Sequence, residues 1–113
     1  MNYSVSERYD TVILTFKGKL MGGPHATDFQ KEIAGLIEKG KTNVVGDLSK
    51  VDFMNSSGLG IIISALTSLR KAGGDLKICG ASERIESLLM MTKLITVFDH
   101  YRSLDKAVEA FKE

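Results

Sequence analysis

The stretch Gly35-Leu36-Ile37-Glu38-Lys39-Gly40-Lys41-Thr42 meets the phosphate-loop pattern G-x-x-x-x-G-K-[ST] at every fixed position. That chemistry needs a strand before the loop and a helix beginning at the lysine, because the free N–H groups of a helix start hold the phosphates. Here Leu36 and Ile37 continue the apolar stripe of a preceding helix and an apolar strand follows. The order is reversed, so nucleotide hydrolysis through this stretch is the weakest of the functional readings. Ser68-x-x-Lys71 and Ser103-x-x-Lys106 match a serine–lysine pair. They read better as a solvated helix face and a helix N-cap. A nucleophile elbow is absent, since Met54 stands where its first glycine would be. His25 and His100 lie 75 positions apart without metal-ligand spacing and read as surface residues. Cys79 is the single cysteine, so it has no intramolecular disulfide partner, and in an apolar strand it reads as an inert buried thiol.

The segment from Asp47 to Gly60 carries more information. A strand ends in an acid, a loop runs over residues 49–55, and the adjacent serines Ser56 and Ser57 open a helix containing Gly58 and Gly60. Two serines exceed what capping needs. Each glycine in that first turn costs up to about 1 kcal/mol against alanine. Either something approaches the turn closely from outside, or the glycines let the helix pack tightly on its own sheet.

The surrounding elements follow from periodicity. Residues 3–8 and 11–17 read as an antiparallel hairpin turning at Asp10, with Val12, Leu14 and Phe16 alternating against Ile13, Thr15 and Lys17. Gly18 to Pro24 reads as a loop, and a helix is expected from His25 to Lys39, with Ala26, Phe29, Ile33, Leu36 and Ile37 on its buried face. Val44–Leu48 is a strand. The helix opened by the serines buries Leu59, Ile62, Ile63, Leu66 and Leu69 and stops at Gly73-Gly74. Ile61 falls beside Ser57 and Ser64. It reads equally as an exposed apolar anchor for a partner or as the flank of the buried stripe. Leu76–Cys79 is a strand, Ser82 caps a helix over 83–92, Ile95–Phe98 is a short last strand, and Ser103 caps a C-terminal helix. The order predicts an α/β domain spanning 1–113, with a mixed four- to five-stranded sheet and about four α-helices packed on it.

Composition narrows the classes. The 113 residues are 43% hydrophobic and 26% charged, typical of one globular core. With 15 Lys+Arg against 14 Asp+Glu there is no basic excess, which disfavours direct nucleic-acid binding. The longest apolar run, Leu88–Met91, is far short of the ~20 residues that span a bilayer, and no signal-peptide pattern opens the sequence. A cytoplasmic protein without membrane insertion is expected, as a monomer or weak dimer.

Asp47-Leu48…Asn55-Ser56-Ser57-Gly58-Leu59-Gly60 resembles the hallmark of the STAS domains found in bacterial anti-sigma factor antagonists and sulphate transporters. Gly18-Lys19-Leu20, Gly73-Gly74 and Ala107-Val108…Phe111 extend the resemblance over nearly the whole chain. It implies a phosphorylatable binding switch rather than an enzyme, with no cofactor. The implied phosphorylation site is Ser56, with Ser57 as second choice. The implied partners are an anti-sigma factor that is also a GHKL-type serine kinase, and a PPM-type serine phosphatase that resets the switch. The unphosphorylated form would bind the kinase and release a sigma factor. The implied partner-binding residues are Met21, Gly22, Gly23, Asn55, Ser56, Ser57, Gly58, Gly60, Ile61 and Ser64. The alternative is an unmodified docking subunit of a stressosome-like assembly or of a lipid-transport ATPase. Three positions depart from the family pattern: Asn55 replaces the usual Asp, Met21 replaces a frequent acid, and Gly46 replaces a large apolar residue.

Overall fold

The computed structural model describes residues 2–23 and 26–112. Among them are β1 (Asn2–Arg8), β2 (Thr11–Leu20), α1 (Ala26–Glu38), β3 (Asn43–Met54), α2 (Ser56–Lys71), β4 (Asp75–Cys79), α3 (Glu83–Met91), a 3-10 turn (Leu94–Thr96), β5 (Asp99–Tyr101) and α4 (Leu104–Lys112). The strands lie in the order β1-β2-β3-β4-β5; β1 runs antiparallel to β2 and the other pairs are parallel. The expected mixed α/β architecture is therefore present. The hairpin turns at Tyr9-Asp10, and Ser82 and Ser103 cap their helices as expected. Pro24 and His25, at the expected start of the first helix, lie outside the described residues.

The period-2 alternation of the strands sorts their side chains between two layers. Val12, Leu14, Phe16, Val44, Leu76 and Ile78 enter the main core with α1, α2 and α3. Ile13, Val45 and Cys79 point to the opposite face, which Ala107 and Val108 of α4 cover. Gly46 sits on the first layer. Its missing side chain leaves room for Phe16, whose ring edge would lie 3.5 Å from a methyl group there. Phe16 in turn packs on Phe29 and Tyr3, with ring centroids 5.7 and 5.9 Å away. The space left by the smaller residue is filled by a neighbouring ring.

Two expected elements are corrected. Residues 49–54, expected as loop, continue β3 alongside an extended β2, with Lys19 opposite Phe53 and Leu20 opposite Met54. The register slips between Thr15 and Lys17 and again between Gly18 and Lys19. Burial in this stretch consequently falls on every third residue, Leu48, Val51 and Met54, which hides the strand from an alternation test. The last strand is not Ile95–Phe98. Leu94–Thr96 forms a 3-10 turn, Phe98 is buried, and Asp99–Tyr101 forms the strand against Lys77–Cys79. Here tertiary pairing overrides local apolarity: Asp99 accepts from Lys77 Nζ at 2.9 Å across the strands.

Cys79 is buried as expected. Burial first, then the Asp47 carboxylate and a hydrogen bond to it, push its thiol up to about 12. The folded state holds the thiol neutral, so this contribution to stability is intact below the unfolded thiol's value near 9 and is lost as pH rises toward 12. A thiol reagent at pH 8 is expected to leave the native protein unlabelled and to label it fully in denaturant. Rapid native labelling would show that the site opens.

Candidate functional site: the start of helix α2

The chain enters α2 from the end of β3. Asn55, in an extended conformation, is the N-cap: its Oδ1 accepts from the Gly58 N–H at 2.8 Å and its carbonyl accepts from Leu59 N–H at 2.9 Å. The cap is therefore neither serine, although the helix begins at the position expected. The N–H groups of Ser56 and Ser57 keep no protein acceptor among the described residues, and neither hydroxyl forms a hydrogen bond there. Both serines are exposed. No acidic residue occupies the first turn, so the positive end of the helix dipole is uncompensated. Removing the cap with Asn55→Ala is expected to cost about 1 kcal/mol, whereas Asn55→Asp keeps the acceptor and adds a favourable charge worth about 0.3–1 kcal/mol. Denaturant titration of the two variants reads both signs.

The end of β2 is stitched to this helix start. Asn55 N–H donates to the Leu20 carbonyl at 3.2 Å. Gly58 packs directly on that carbonyl: a Cβ at position 58 would lie 1.9 Å from the Leu20 oxygen. Gly60 faces outward with nothing within 4 Å. The two glycines thus divide the two readings offered by the sequence. Gly58 permits packing on the fold's own sheet, and Gly60 leaves open space for something from outside.

Gly22, at a φ of 73°, lies over Ser57, where a methyl group on Gly22 would sit 3.0 Å from Ser57 Cβ and 3.5 Å from Ile61 Cδ1. Met21 and Gly23 are exposed beside it. Ser57, Gly60 and Ser64 form an exposed stripe at helical spacing. The structure thus gathers Met21, Gly22, Gly23, Asn55, Ser56, Ser57, Gly60 and Ser64 on one end of the molecule. Two expected contact residues do not belong to that surface. Gly58 is buried, and Ile61 is only 8% exposed, so it underpins the Gly22 loop and is not the exposed anchor. Phe53, hidden in the stretch read as loop, is instead exposed near the same end. Its signal was an apolar residue directly after Asp52, two positions before the cap.

The other chemical candidates dissolve on inspection. Gly35 to Glu38 are helical, and the N–H groups of Lys39, Gly40 and Lys41 donate to the carbonyls of Gly35, Ile37 and Leu36. Lys41 pairs with Glu7 at 2.6 Å. No phosphate cradle remains there. His100 is not the free surface residue expected: it is half-buried on β5, with Nδ1 3.6 Å from Glu86 and a buried Nε2 that finds no partner among the described residues. Among the described residues no group of three or more His, Cys, Asp or Glu side chains is placed to hold a metal, and no helix is long and apolar enough to cross a membrane.

Known proteins resemble the chain over nearly its whole length. BtrV of Bordetella bronchiseptica, provisionally named an anti-sigma factor antagonist, is 24% identical over 106 residues, covering 94% of this chain and 91% of that one. A crystal structure of a Thermotoga maritima protein with the same provisional name superposes with a TM-score of 0.88 at 26% identity, over 98% of this chain and 95% of that one. The anti-sigma factor antagonist SpoIIAA in its unphosphorylated form gives 0.77 at 16% identity, covering 98% of each chain, and shares the fold. Its phosphorylated form gives 0.75 at 17%, covering 97% of this chain and 99% of that one. The STAS domain profile matches residues 2–107, and the chain belongs to the STAS domain family.

Proposed function

We propose that this protein is an anti-sigma factor antagonist, a cytoplasmic binding switch without catalytic activity of its own. Its unphosphorylated form docks the start of α2 and the neighbouring Met21–Gly23 segment onto an anti-sigma factor and so releases a sigma factor. A GHKL-type serine kinase, acting also as the anti-sigma factor, phosphorylates Ser56, and a PPM-type phosphatase resets it. The observation that carries this reading is the division of labour at the helix start. Asn55 caps the helix, which leaves the Ser56 hydroxyl exposed and uncommitted.

The physics of the switch follows from that position. A phosphate adds about −1.5 to −2 charges at neutral pH. At Ser56 it meets the unpaired N–H groups and the positive end of the helix dipole, a favourable contribution of about 0.3–1 kcal/mol. The fold therefore stands. The effect falls on the interface, where a dianion must be desolvated against a surface fitted to a hydroxyl. A loss there of about 2–3 kcal/mol weakens binding roughly 30- to 150-fold.

The test is the intact mass of the protein from its native host, wild type against Ser56→Ala. An added mass of about 80 Da, one phosphoryl group, in the wild type and not in the variant supports the switch. Its absence under every growth condition would leave a constitutive docking subunit with Ser56 a plain helix residue, and an added mass that persists in Ser56→Ala would move the modification to Ser57.

A further inference from the structure

Beyond the serines, the same end of the molecule carries a second feature. The extension of β2 and β3 past their regular pairing places Lys19 opposite Phe53 and brings Met21 to the end of the strand. With Asp52 and with Arg84 from the first turn of α3, these residues line an open hollow of about 460 Å³. Met21 is 48% exposed and Phe53 36% exposed. Two of the exposed large apolar side chains of the described chain thus line one hollow, and it adjoins the proposed docking surface. Met21 is bonded to Gly22, which lies on Ser57, and Phe53 precedes the Asn55 cap by two residues.

The charges of this hollow are not spent within the fold. Among the described residues, Lys19, Arg84 and Asp52 form no ion pair within 4.0 Å. Two cations against one carboxylate leave a net positive rim around an apolar floor. A partner side chain inserted there must be apolar to cover Met21 and Phe53, and must carry acid beside it to meet Lys19 and Arg84. Thioether and aromatic surfaces adapt well to such an inserted side chain. We infer that this hollow is the specificity pocket for the anti-sigma factor, and that it receives an apolar side chain flanked by a carboxylate on that partner.

This inference rests on the proposed function, and its test separates the two. The probe is the GHKL-type kinase retained from the native host by the immobilised wild-type chain and then purified; its capture alone decides nothing. Its affinity is measured by calorimetry for the full-length wild type, Met21→Ala, Phe53→Ala, the double charge reversal Lys19→Glu/Arg84→Glu, Asp52→Asn and Ser56→Glu. All the altered side chains are exposed, and thermal unfolding confirms that each variant is folded.

Each apolar truncation is expected to weaken binding about ten- to a hundredfold, as for a pocket anchor. The charge reversal is expected to weaken it too, with the loss shrinking between about 0.01 M and about 1 M ionic strength as the screening length falls from about 30 Å to about 3 Å. Asp52→Asn is expected to tighten it. If Ser56→Glu breaks the complex while Met21→Ala and Phe53→Ala bind like wild type, the pocket is refuted and the switch survives. Tighter binding after charge reversal would identify a basic partner and equally refute the pocket. If Ser56→Glu binds like wild type, the switch fails, and the pocket then stands or falls on the Met21→Ala and Phe53→Ala affinities alone.

Discussion

Ser56→Glu is expected to lower affinity for the anti-sigma factor by about 30-fold or more while leaving the thermal unfolding transition unchanged or slightly raised. Both halves follow from the position of Ser56 as the first residue of α2, after an Asn55 cap that already satisfies Gly58 N–H. A carboxylate at that point faces an uncompensated helix dipole, which stabilises the fold by about 0.3–1 kcal/mol. The same charge has no counterpart in a partner surface matched to a hydroxyl, and stranding it there costs several times as much. Ser56→Ala is the control: it removes the modification site, keeps the volume small and should bind within a few-fold of wild type. Calorimetric titration read beside a melting curve distinguishes an interface gate from an unfolding switch. A glutamate variant that melts early, or that binds as well as wild type, contradicts the gate.

Gly58→Ala and Gly60→Ala, two positions apart in one helical turn, are expected to move stability in opposite directions. At position 58 a Cβ would stand 1.9 Å from the Leu20 carbonyl oxygen and 2.5 Å from its carbon. Neither atom is the flexible end of a side chain, so α2 must lift away from β2 and the 3.2 Å hydrogen bond from Asn55 to Leu20 is lost with it. A clash of this kind exceeds ordinary overpacking and costs about 3 kcal/mol or more, a large share of a typical stability of about 5–15 kcal/mol. At position 60 nothing lies within 4 Å, and alanine regains up to about 1 kcal/mol of helix propensity. Chemical denaturation measures both. If Gly60→Ala is more stable yet binds the anti-sigma factor less well, the glycine is retained for the partner and not for the fold.

Much of this architecture was legible in the sequence because period and punctuation agreed with the final packing. Val12, Leu14 and Phe16 alternate on one sheet face, and Ser82 and Ser103 cap where polar residues precede apolar periodicity. The misreadings share one origin, a tertiary pairing that local pattern does not carry. Residues 49–54 are a strand whose burial rhythm is three, because slips in register against β2 break the alternation. Asp99–Tyr101 is a strand because β4 lies beside it and Lys77 meets Asp99. At the site, Ser56 and Ser57 were located from the sequence, but their freedom from capping was not. A serine and an asparagine are near-equivalent caps, and the chain geometry decides between them. The burial of Ile61 is legible only once the Gly22 loop is seen to close over it.

That loop makes the paired hydroxyls unequal recipients. Phosphoryl transfer needs the attacking oxygen, phosphorus and leaving oxygen roughly in line, with clear space around the acceptor. Ser57 has the Gly22 backbone at its side, and the adjoining Leu20 is held by Asn55 and pressed by Gly58. A phosphate on Ser57 would have to push against that tied segment, whereas Ser56 precedes it at the open tip of the helix. The sequence offers two adjacent hydroxyls and therefore four states of modification. On the proposed switch the backbone reduces them to two, and the molecule would store a single bit.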